Sequence, residues 1–467
     1  MDINTPLSNL LRENYVDTQE ETVKYSSDAS YITGRTPIGV AFPVNSDQVC
    51  KIIDICRKSG VSIVTRGGGS SLTGSSVPLE KSIVLSTVKM NKIIEINTRD
   101  RYVAVQPGVI LSDLNAALNK KGFFYPPDPA SSAIATVGGT IATNAGGLRA
   151  IAYGTTKEWV LGLDVVLGNG RKIAVGGKVL KRTTGYDLTS LFVGSEGTLG
   201  IITMAYLKII PVPEATGMIV SFFSSIANLS SSIGDLKAKG VPLMIAEFLD
   251  GLALHSLSDA GLLDFPDTSK YMLMIVLQST RESLKRHLNN AVKIINRSRP
   301  LSVEIVKDKE GMERYYEARR SIGRTLYNLR SSDEESAITL DIVVPTSQIS
   351  KTLMAISSAA RSYKIRCLLA GHIGDGNVHP ALIVNLKSPE GNDRALELMS
   401  EIGKIAVKNG GSVSAEHGIG LQKKHLLLYE REFKNSSESI DIMRKIKEAI
   451  DPLAILNPGK ILSLLRC

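Results

Sequence analysis

Three glycine-rich clusters in the first half of the chain constrain its fold more than any other feature. They are Arg66-Gly67-Gly68-Gly69-Ser70-Ser71-Leu72-Thr73-Gly74, then Val137-Gly138-Gly139-Thr140-Ile141-Ala142-Thr143-Asn144-Ala145-Gly146-Gly147, then Gly194-Ser195-Glu196-Gly197-Thr198-Leu199-Gly200-Ile201-Ile202. Consecutive glycines let the backbone take positive φ and approach a ligand closely. Their N–H groups can converge on an anion, and neighbouring hydroxyls add donors. Singly, each cluster reads as a structural turn. Together they suggest a wall that meets one large ligand, and the first, behind the β-branched run Ser62–Thr65, favours phosphate binding. No G-x-G-x-x-G follows a strand and no G-x-x-x-x-G-K-[ST] occurs. A conventional NAD domain or P-loop is therefore not expected.

Around these clusters, Ser62–Thr65, Ser82–Leu85, Tyr102–Gln106, Leu163–Leu167 and Lys172–Val175 predict strands. Val44–Ser59 predicts an amphipathic helix with Val49, Ile52, Ile53 and Cys56 on one face. After Pro211-Val212-Pro213 the character changes to longer helices alternating with strands such as Tyr271–Gln278 and Ala337–Val344. The chain has 467 residues, and a single core stops growing at about 250–300. The expected organisation is a polar, mainly helical lead-in (1–36), a first domain (37–211), a second domain (212–430) and a tail (431–467).

Composition sets several classes aside. Hydrophobic residues at 43% and charged residues at 22% fit a globular protein. A net charge of +9 suits an anionic ligand or membrane surface without requiring either. It is the only feature that favours nucleic acid, and no basic-aromatic module accompanies it, so no nucleic-acid role is expected. No apolar run is long enough for a spanning helix, and the N-terminus lacks a signal-peptide pattern. The cytoplasm is the expected compartment, with peripheral attachment to the inner face of the membrane left open. Four cysteines, Cys50, Cys56, Cys367 and Cys467, are too few and too scattered for a disulfide scaffold or a cysteine metal site.

The second half carries different chemistry. His372 and His379 bracket a glycine-rich turn in Gly371-His372-Ile373-Gly374-Asp375-Gly376-Asn377-Val378-His379, and Glu416-His417 lies in Ser414-Ala415-Glu416-His417-Gly418-Ile419-Gly420. Such a turn can fold two histidines onto one ion. Imidazoles plus one carboxylate, with a position left open, suit a catalytic divalent metal. The alternative is two unrelated surface turns. His255, His287 and His425 have no such setting. On the helical stretch Arg314–Arg330, Tyr315, Ile322, Leu326 and Leu329 share a stripe, and Arg319 falls about 40° from Tyr315. An arginine on a buried face needs an anion, and its planar fork suits a carboxylate. The anion is either a ligand or an internal partner such as Glu247 or Asp341.

These segments carry a family resemblance. TPIGVAFP, VTRGGGSSLTG, QPGV, YPPDPAS, VGGTIATNAGG, GYDL and GSEGTLGII resemble, in order, the landmarks of the vanillyl-alcohol-oxidase type of FAD-binding domain. GHIGDGNVH, SAEHGIG, the EARR helix and LNPGK resemble the C-terminal half of the FAD-linked D-2-hydroxy acid dehydrogenases. That group includes D-lactate dehydrogenases, glycolate oxidase D-subunits and D-2-hydroxyglutarate dehydrogenases. The resemblance runs from about residue 37 to 460. It implies an α+β fold: a two-lobed vanillyl-alcohol-oxidase-type (PCMH) FAD-binding domain plus an α+β C-terminal substrate or cap domain.

The resemblance also implies roles. Gly67, Gly68, Gly69, Ser70 and Ser71 would hold the FAD pyrophosphate, with Arg66 beside them among the cofactor-binding residues. Pro127, Asp128 and Ser131, with Thr136, Gly138, Gly139, Ala142, Thr143 and Asn144, would line the flavin. Glu196, Gly200 and Ile202 would meet the adenosine end, and Asn457 would lie near the flavin. Covalent members of the fold use a histidine in the first lobe. None precedes His255 here, so non-covalent FAD is expected. His372, His379 and Glu416 would bind a divalent metal, zinc first, with Mn²⁺ or Fe²⁺ as alternatives. His417 would be the base, Arg319 would pair with the substrate carboxylate, and Asn377 would sit at the site.

The implied reaction oxidises a small D-2-hydroxy acid, D-lactate ahead of glycolate, to the 2-oxo acid by hydride transfer to flavin N5. D-2-hydroxyglutarate is the alternative substrate. The hydroxyglutarate branch aligns extra polar contacts where this chain has Gly323, Thr339 and Ala381, which favours a monocarboxylate. Readings from other classes are a flavin-using alkyl ether-lipid synthase and a catalytically silent flavin-binding subunit of an oxidase. The retained histidine and carboxylate motifs argue against both. The electron acceptor, whether quinone, cytochrome, electron-transfer flavoprotein or partner subunit, leaves no readable motif. A homodimer stays open.

Overall fold

The computed structural model describes residues 2–463, so Cys467 and the end of the expected tail lie outside the described residues. The backbone divides into two units, residues 2–146, 155–212 and 416–463 in the first, and 147–154 and 213–415 in the second. The expected boundary at 430/431 thus differs from the observed one at 415/416. The segment after Glu416 belongs to the first unit because Leu421 N–H donates to Thr73 O at 2.8 Å and Glu196 accepts from Ile419 and Gly420.

In the first unit, a four-stranded sheet runs in the order Tyr15–Val16, Gly39–Ala41, Ser82–Ser86, Ser62–Arg66. Gly39–Ala41 and Ser62–Arg66 both pair in parallel with Ser82–Ser86. Parallel pairing needs a crossover, and the helix Ser46–Ser59 supplies one. Asn45 caps its start by accepting from Gln48 N–H at 2.9 Å. Its Val49, Ile52, Ile53 and Cys56 are fully buried, the expected face, in a core shared with Leu7, Ile63 and Ile83. The lead-in is only partly helical. Asn4–Leu11 is a helix, but Tyr15–Val16 pairs with Val40 and Ala41, as an aromatic and a β-branched residue prefer. A five-stranded antiparallel sheet has the order Ile93–Asn97, Tyr102–Val105, Ile201–Lys208, Val160–Val166, Lys172–Gly176.

The second unit is built on an eight-stranded sheet. Seven strands run in the order Ser302–Val306, Ala215–Phe223, Tyr271–Ser279, Leu243–Asp250, Arg366–Gly371, Asn377–Asn385, Glu335–Thr339, each antiparallel to its neighbours. Met272 to Leu277 are all buried, which explains the unbroken apolar run of that central strand. The helix Arg281–Arg297 buries Leu288, Ala291, Ile294 and Ile295. Two halves of the sheet meet through only two residue pairs, Phe248 with Gly371 and Leu249 with Ala370, whereas Ala215–Phe223 and Tyr271–Ser279 share nine. The expected strand Ala337–Val344 is broken into Glu335–Thr339 and Ile342–Val343. Between them Asp341 is fully buried and finds its donors outside the sheet. Its Oδ2 accepts from Ser414 Oγ at 2.8 Å and Ala415 N–H at 2.9 Å. Among the described residues no helix is long and apolar enough to cross a membrane.

Candidate active site

The three glycine clusters converge within the first unit. A Cβ on Gly68 would lie 2.0 Å from Ile134 O, so only glycine lets this loop close on the segment before the second cluster. Thr136 caps the helix Val137–Thr143, its Oγ1 accepting from Gly139 N–H at 3.2 Å. The helix ends at Asn144, whose Oδ1 accepts from Thr155 Oγ1 and Lys157 N–H. Gly194 and Glu196 N–H donate to Ile141 O and Ala142 O at 2.9 and 2.8 Å, joining the third cluster to the second. Close packing of loop on loop therefore accounts for part of the glycine content.

What packing leaves over is a set of unspent polar groups. The N–H groups of Gly68, Gly69, Ser70 and Ser71 donate to nothing among the described residues. Such a run of amides is a cradle for an anion. Thr65 Oγ1 and Asn457 Oδ1 are buried with no partner among the described residues. These groups fit a large, polar, anionic cofactor. The other residues expected beside it are placed as follows. Arg66 donates to Ser27 O at 2.5 Å and lies over the Tyr25 ring. Pro127 is buried, Asp128, Ser131, Ala142 and Thr143 are half-buried, and Gly138 packs on Pro107. Gly200 and Ile202 are buried at the entrance to the strand Ile201–Lys208.

Glu196 joins four segments. It sits at φ 50 and is 4% exposed. Its carboxyl accepts from Ser75 Oγ at 2.7 Å, Ile419 N–H at 2.7 Å and Gly420 N–H at 2.9 Å. Burial pushes this carboxyl above the usual range, opposed by those three donors. Asn457 Nδ2 donates to Ser75 O and Glu196 O at 2.8 and 2.6 Å. Glu196 thus frames the loops of this unit.

Lys460 lies nearby, 3% exposed, with no hydrogen-bond partner for Nζ among the described residues. Burial pushes its ammonium down to about 8, opposed by the charges of Glu196 and Asp28. The native state therefore sheds this proton more readily than the unfolded chain. The stability this confers is fully present above the unfolded value of about 10.4 and is lost as pH falls through 8. Lys460→Met is expected to raise thermal stability at pH 7, by about 3 kcal/mol at most, with the gain shrinking toward pH 10. Melting curves at both pH values check this, and an equal shift at each would refute it.

Glu416 and His417 belong to the same unit. Thr73 Oγ1 donates to His417 O at 3.1 Å, tying their turn to the first glycine cluster. A Cβ on Gly146 would lie 2.7 Å from Glu416 Oε2, so the second cluster closes on this carboxylate. His417 Nε2 stands 3.7 Å from Glu416 Oε1.

The other site residues lie in the second unit. His372 follows the strand Arg366–Gly371, and His379 pairs with Ala370 across the hairpin. The turn between them is possible because Gly376 has φ 91 and a Cβ there would lie 1.9 Å from Val344 O. It brings the two rings together, centroids 5.1 Å apart, with a nitrogen of each within 4.8 Å of the other. Each ring directs Nδ1 to an acceptor: His372 to Glu247 Oε1 at 2.5 Å, His379 to Leu340 O at 3.3 Å. With Nδ1 as the donor, a neutral ring at either position presents its lone pair at Nε2, the arrangement metal-binding histidines use. Asp341 also offers an oxygen within 4.8 Å of a His379 nitrogen. This donor set fits a divalent cation of the zinc, manganese or iron type. Asn377 is buried at the same hairpin, its Oδ1 without a partner among the described residues.

Arg319 lies on the helix Lys309–Thr325, among the buried Tyr315 and Ile322. Its Nε donates to Glu247 Oε2 at 2.6 Å. Arg320 and Arg324 face other partners, Glu313 and Ser321. Glu247 was legible in the sequence only as a partner for Arg319. The overlooked signal is its position as the lone charge in the apolar run Leu243-Met244-Ile245-Ala246-Glu247-Phe248-Leu249. A buried carboxylate in such a strand asks for a reason.

A first unit of three sheets with an anion cradle, and a second unit on one large sheet that carries histidines and a mostly buried arginine, define a flavoprotein of the vanillyl-alcohol-oxidase type. The family described as FAD binding domain matches residues 37–176, and that described as FAD linked oxidases, C-terminal domain, matches residues 212–461. The chain belongs to the FAD-linked oxidases, in the D-2-hydroxy acid dehydrogenase family, and FAD is its cofactor. It is 38% identical to the glycolate oxidase subunit GlcD of Bacillus subtilis, over 96% of this chain and 94% of that protein. It is 35% identical to a D-lactate dehydrogenase of Archaeoglobus fulgidus, over 90% of each. Among solved structures, p-cresol methylhydroxylase with substrate bound matches with a TM-score of 0.83 at 19% identity, over 100% of this chain and 97% of that one. At that identity the likeness concerns the fold.

Proposed function

We propose that the protein oxidises a small D-2-hydroxy acid to the 2-oxo acid, D-lactate ahead of glycolate, with non-covalent FAD. One observation carries the reading: Arg319 is nearly buried, yet its two terminal nitrogens donate to nothing among the described residues. Such a guanidinium is a fork waiting for a planar carboxylate. The printed activities of the Bacillus and Archaeoglobus relatives point to the same substrate class.

The reaction removes a hydride from C2 and a proton from the hydroxyl. When bound, FAD would supply the hydride acceptor, and a divalent ion would supply Lewis acidity that lowers the hydroxyl pKa. His372, His379 and Glu416 are the proposed ligands of that ion, zinc first. Arg319 grips the carboxylate and fixes the acid's orientation. Asn377 offers its carboxamide to the substrate. His417 takes the hydroxyl proton. Electrons then leave for an acceptor outside the chain. The Bacillus and Escherichia coli relatives are named as subunits, which favours a partner subunit in that role.

The test is anaerobic mixing of the yellow protein with D-lactate, L-lactate, glycolate and D-2-hydroxyglutarate in turn. D-lactate is expected to bleach the flavin rapidly and L-lactate not at all. D-2-hydroxyglutarate should be slower by at least about tenfold, because Gly323, Thr339 and Ala381 stand where the hydroxyglutarate branch aligns extra polar contacts. A flavin that dithionite reduces but none of the four acids bleaches would refute the reading.

A further inference from the structure

Glu247 serves two clients. It is fully buried in the strand Leu243–Asp250. One oxygen lies 2.5 Å from His372 Nδ1, and the other accepts from Arg319 Nε at 2.6 Å. The Arg319 guanidinium sets a full positive charge against this carboxylate inside the apolar sheet. An ionised carboxylate inside an apolar sheet is expensive unless paired, and apolar replacements of such groups are often neutral. Charge neutralisation alone is thus a weak reason for its presence.

We propose that Glu247 is a positioning residue that sets the metal-ligating nitrogen of His372 and the aim of Arg319 at the same time, coupling cation binding to substrate binding. This rests on the substrate and metal reading given above. Accepting from Nδ1 fixes the imidazole tautomer and places the lone pair on Nε2. Accepting from Nε leaves both terminal nitrogens of Arg319 for a carboxylate, and it holds the guanidinium plane in one orientation. The two tasks need both oxygens. A glutamine at 247 keeps the shape, but its single carbonyl oxygen can serve one client only. Its NH₂ group meets the N–H of the other, donor to donor. An aspartate keeps both oxygens but draws them back by one methylene.

The experiment uses the FAD-loaded protein and its Glu247→Gln and Glu247→Asp variants, stripped of metal by a chelator. Zn²⁺ alone is titrated by calorimetry, and D-lactate is then mixed anaerobically with the zinc-loaded forms. Wild type is expected to take up one Zn²⁺. Glu247→Gln should bind it about 10–100-fold more weakly. Its half-saturating D-lactate concentration should rise by at least about tenfold, with FAD content unchanged. Glu247→Asp should recover part of both losses. Unaltered zinc affinity and substrate saturation, with only the melting temperature lowered, would make Glu247 merely structural and overturn the proposal. A wild type that takes up no Zn²⁺, Mn²⁺ or Fe²⁺ would instead overturn the metal reading itself. If Glu247→Gln does not fold, Glu247→Asp decides the matter: weaker zinc binding and poorer saturation at an unchanged melting temperature support the role.

Discussion

His417→Ala is expected to yield a yellow, folded protein that D-lactate cannot bleach. The hydrogen bond between His417 and the first glycine cluster survives the change because it runs through the backbone. Thr73 Oγ1 donates to the carbonyl, which alanine keeps. What is lost is the imidazole, the proposed acceptor of the substrate's hydroxyl proton. A positioned base contributes typically 10²–10⁴-fold, so flavin reduction should slow by about that factor. FAD content and zinc uptake should be unaltered. Stopped-flow reduction checks the prediction, and a rate within about tenfold of wild type would remove His417 from the role of base.

Glu196→Ala is expected to fail differently, by releasing the cofactor. Glu196 holds Ser75, the Ile419–Gly420 turn and its own cluster together, and Asn457 joins through the Glu196 carbonyl. Alanine strands two backbone N–H groups and a hydroxyl in a buried setting. Each unsatisfied group costs about 1–3 kcal/mol, so a loss of about 3–5 kcal/mol is expected. The loops that carry the unspent amides of Gly68–Ser71 would lose their frame. Absorbance of the purified variant should show FAD below about half occupancy, and its melting temperature should fall. Glu196→Gln, which keeps one acceptor, should lie between. Full FAD occupancy and an unchanged melting temperature in Glu196→Ala would show that the latch is dispensable.

The parts of this molecule that the sequence announces are local ones. The helix Ser46–Ser59 is legible because its buried positions repeat at the helical period between an asparagine cap and Gly60. The convergence of His372 and His379 is legible because the glycines that permit the turn lie between them. Contacts distant in the chain are not legible in this way. Nothing near Glu196 announces that its carboxyl will meet Gly420, 224 residues away. In the sequence alone, the glycines of the first cluster suggest a ligand cradle. The amides fit that reading, yet Gly68 is also demanded by the carbonyl of Ile134, a tertiary contact with no local signature. Likewise the run Ala337–Val344 has strand composition throughout. Asp341 interrupts it because its carboxylate is claimed by Ser414 and Ala415. The family resemblance supplied roles for residues whose neighbours could not be foreseen.

The narrow seam in the second unit bears on how that unit holds together. Its two half-sheets share only the pairs Phe248–Gly371 and Leu249–Ala370. Glu247 stands beside the seam on one strand, and His372 follows directly after the end of the other. Their hydrogen bond is a side-chain rivet across the place where the backbone ladder is thinnest. Asp250 reinforces the same place, its Oδ2 accepting from Leu369 N–H at 2.8 Å, and one apolar core runs under both halves. The thinnest stretch of the backbone ladder is thus closed by side chains, and two of these, Glu247 and His372, are groups that the proposed chemistry also uses.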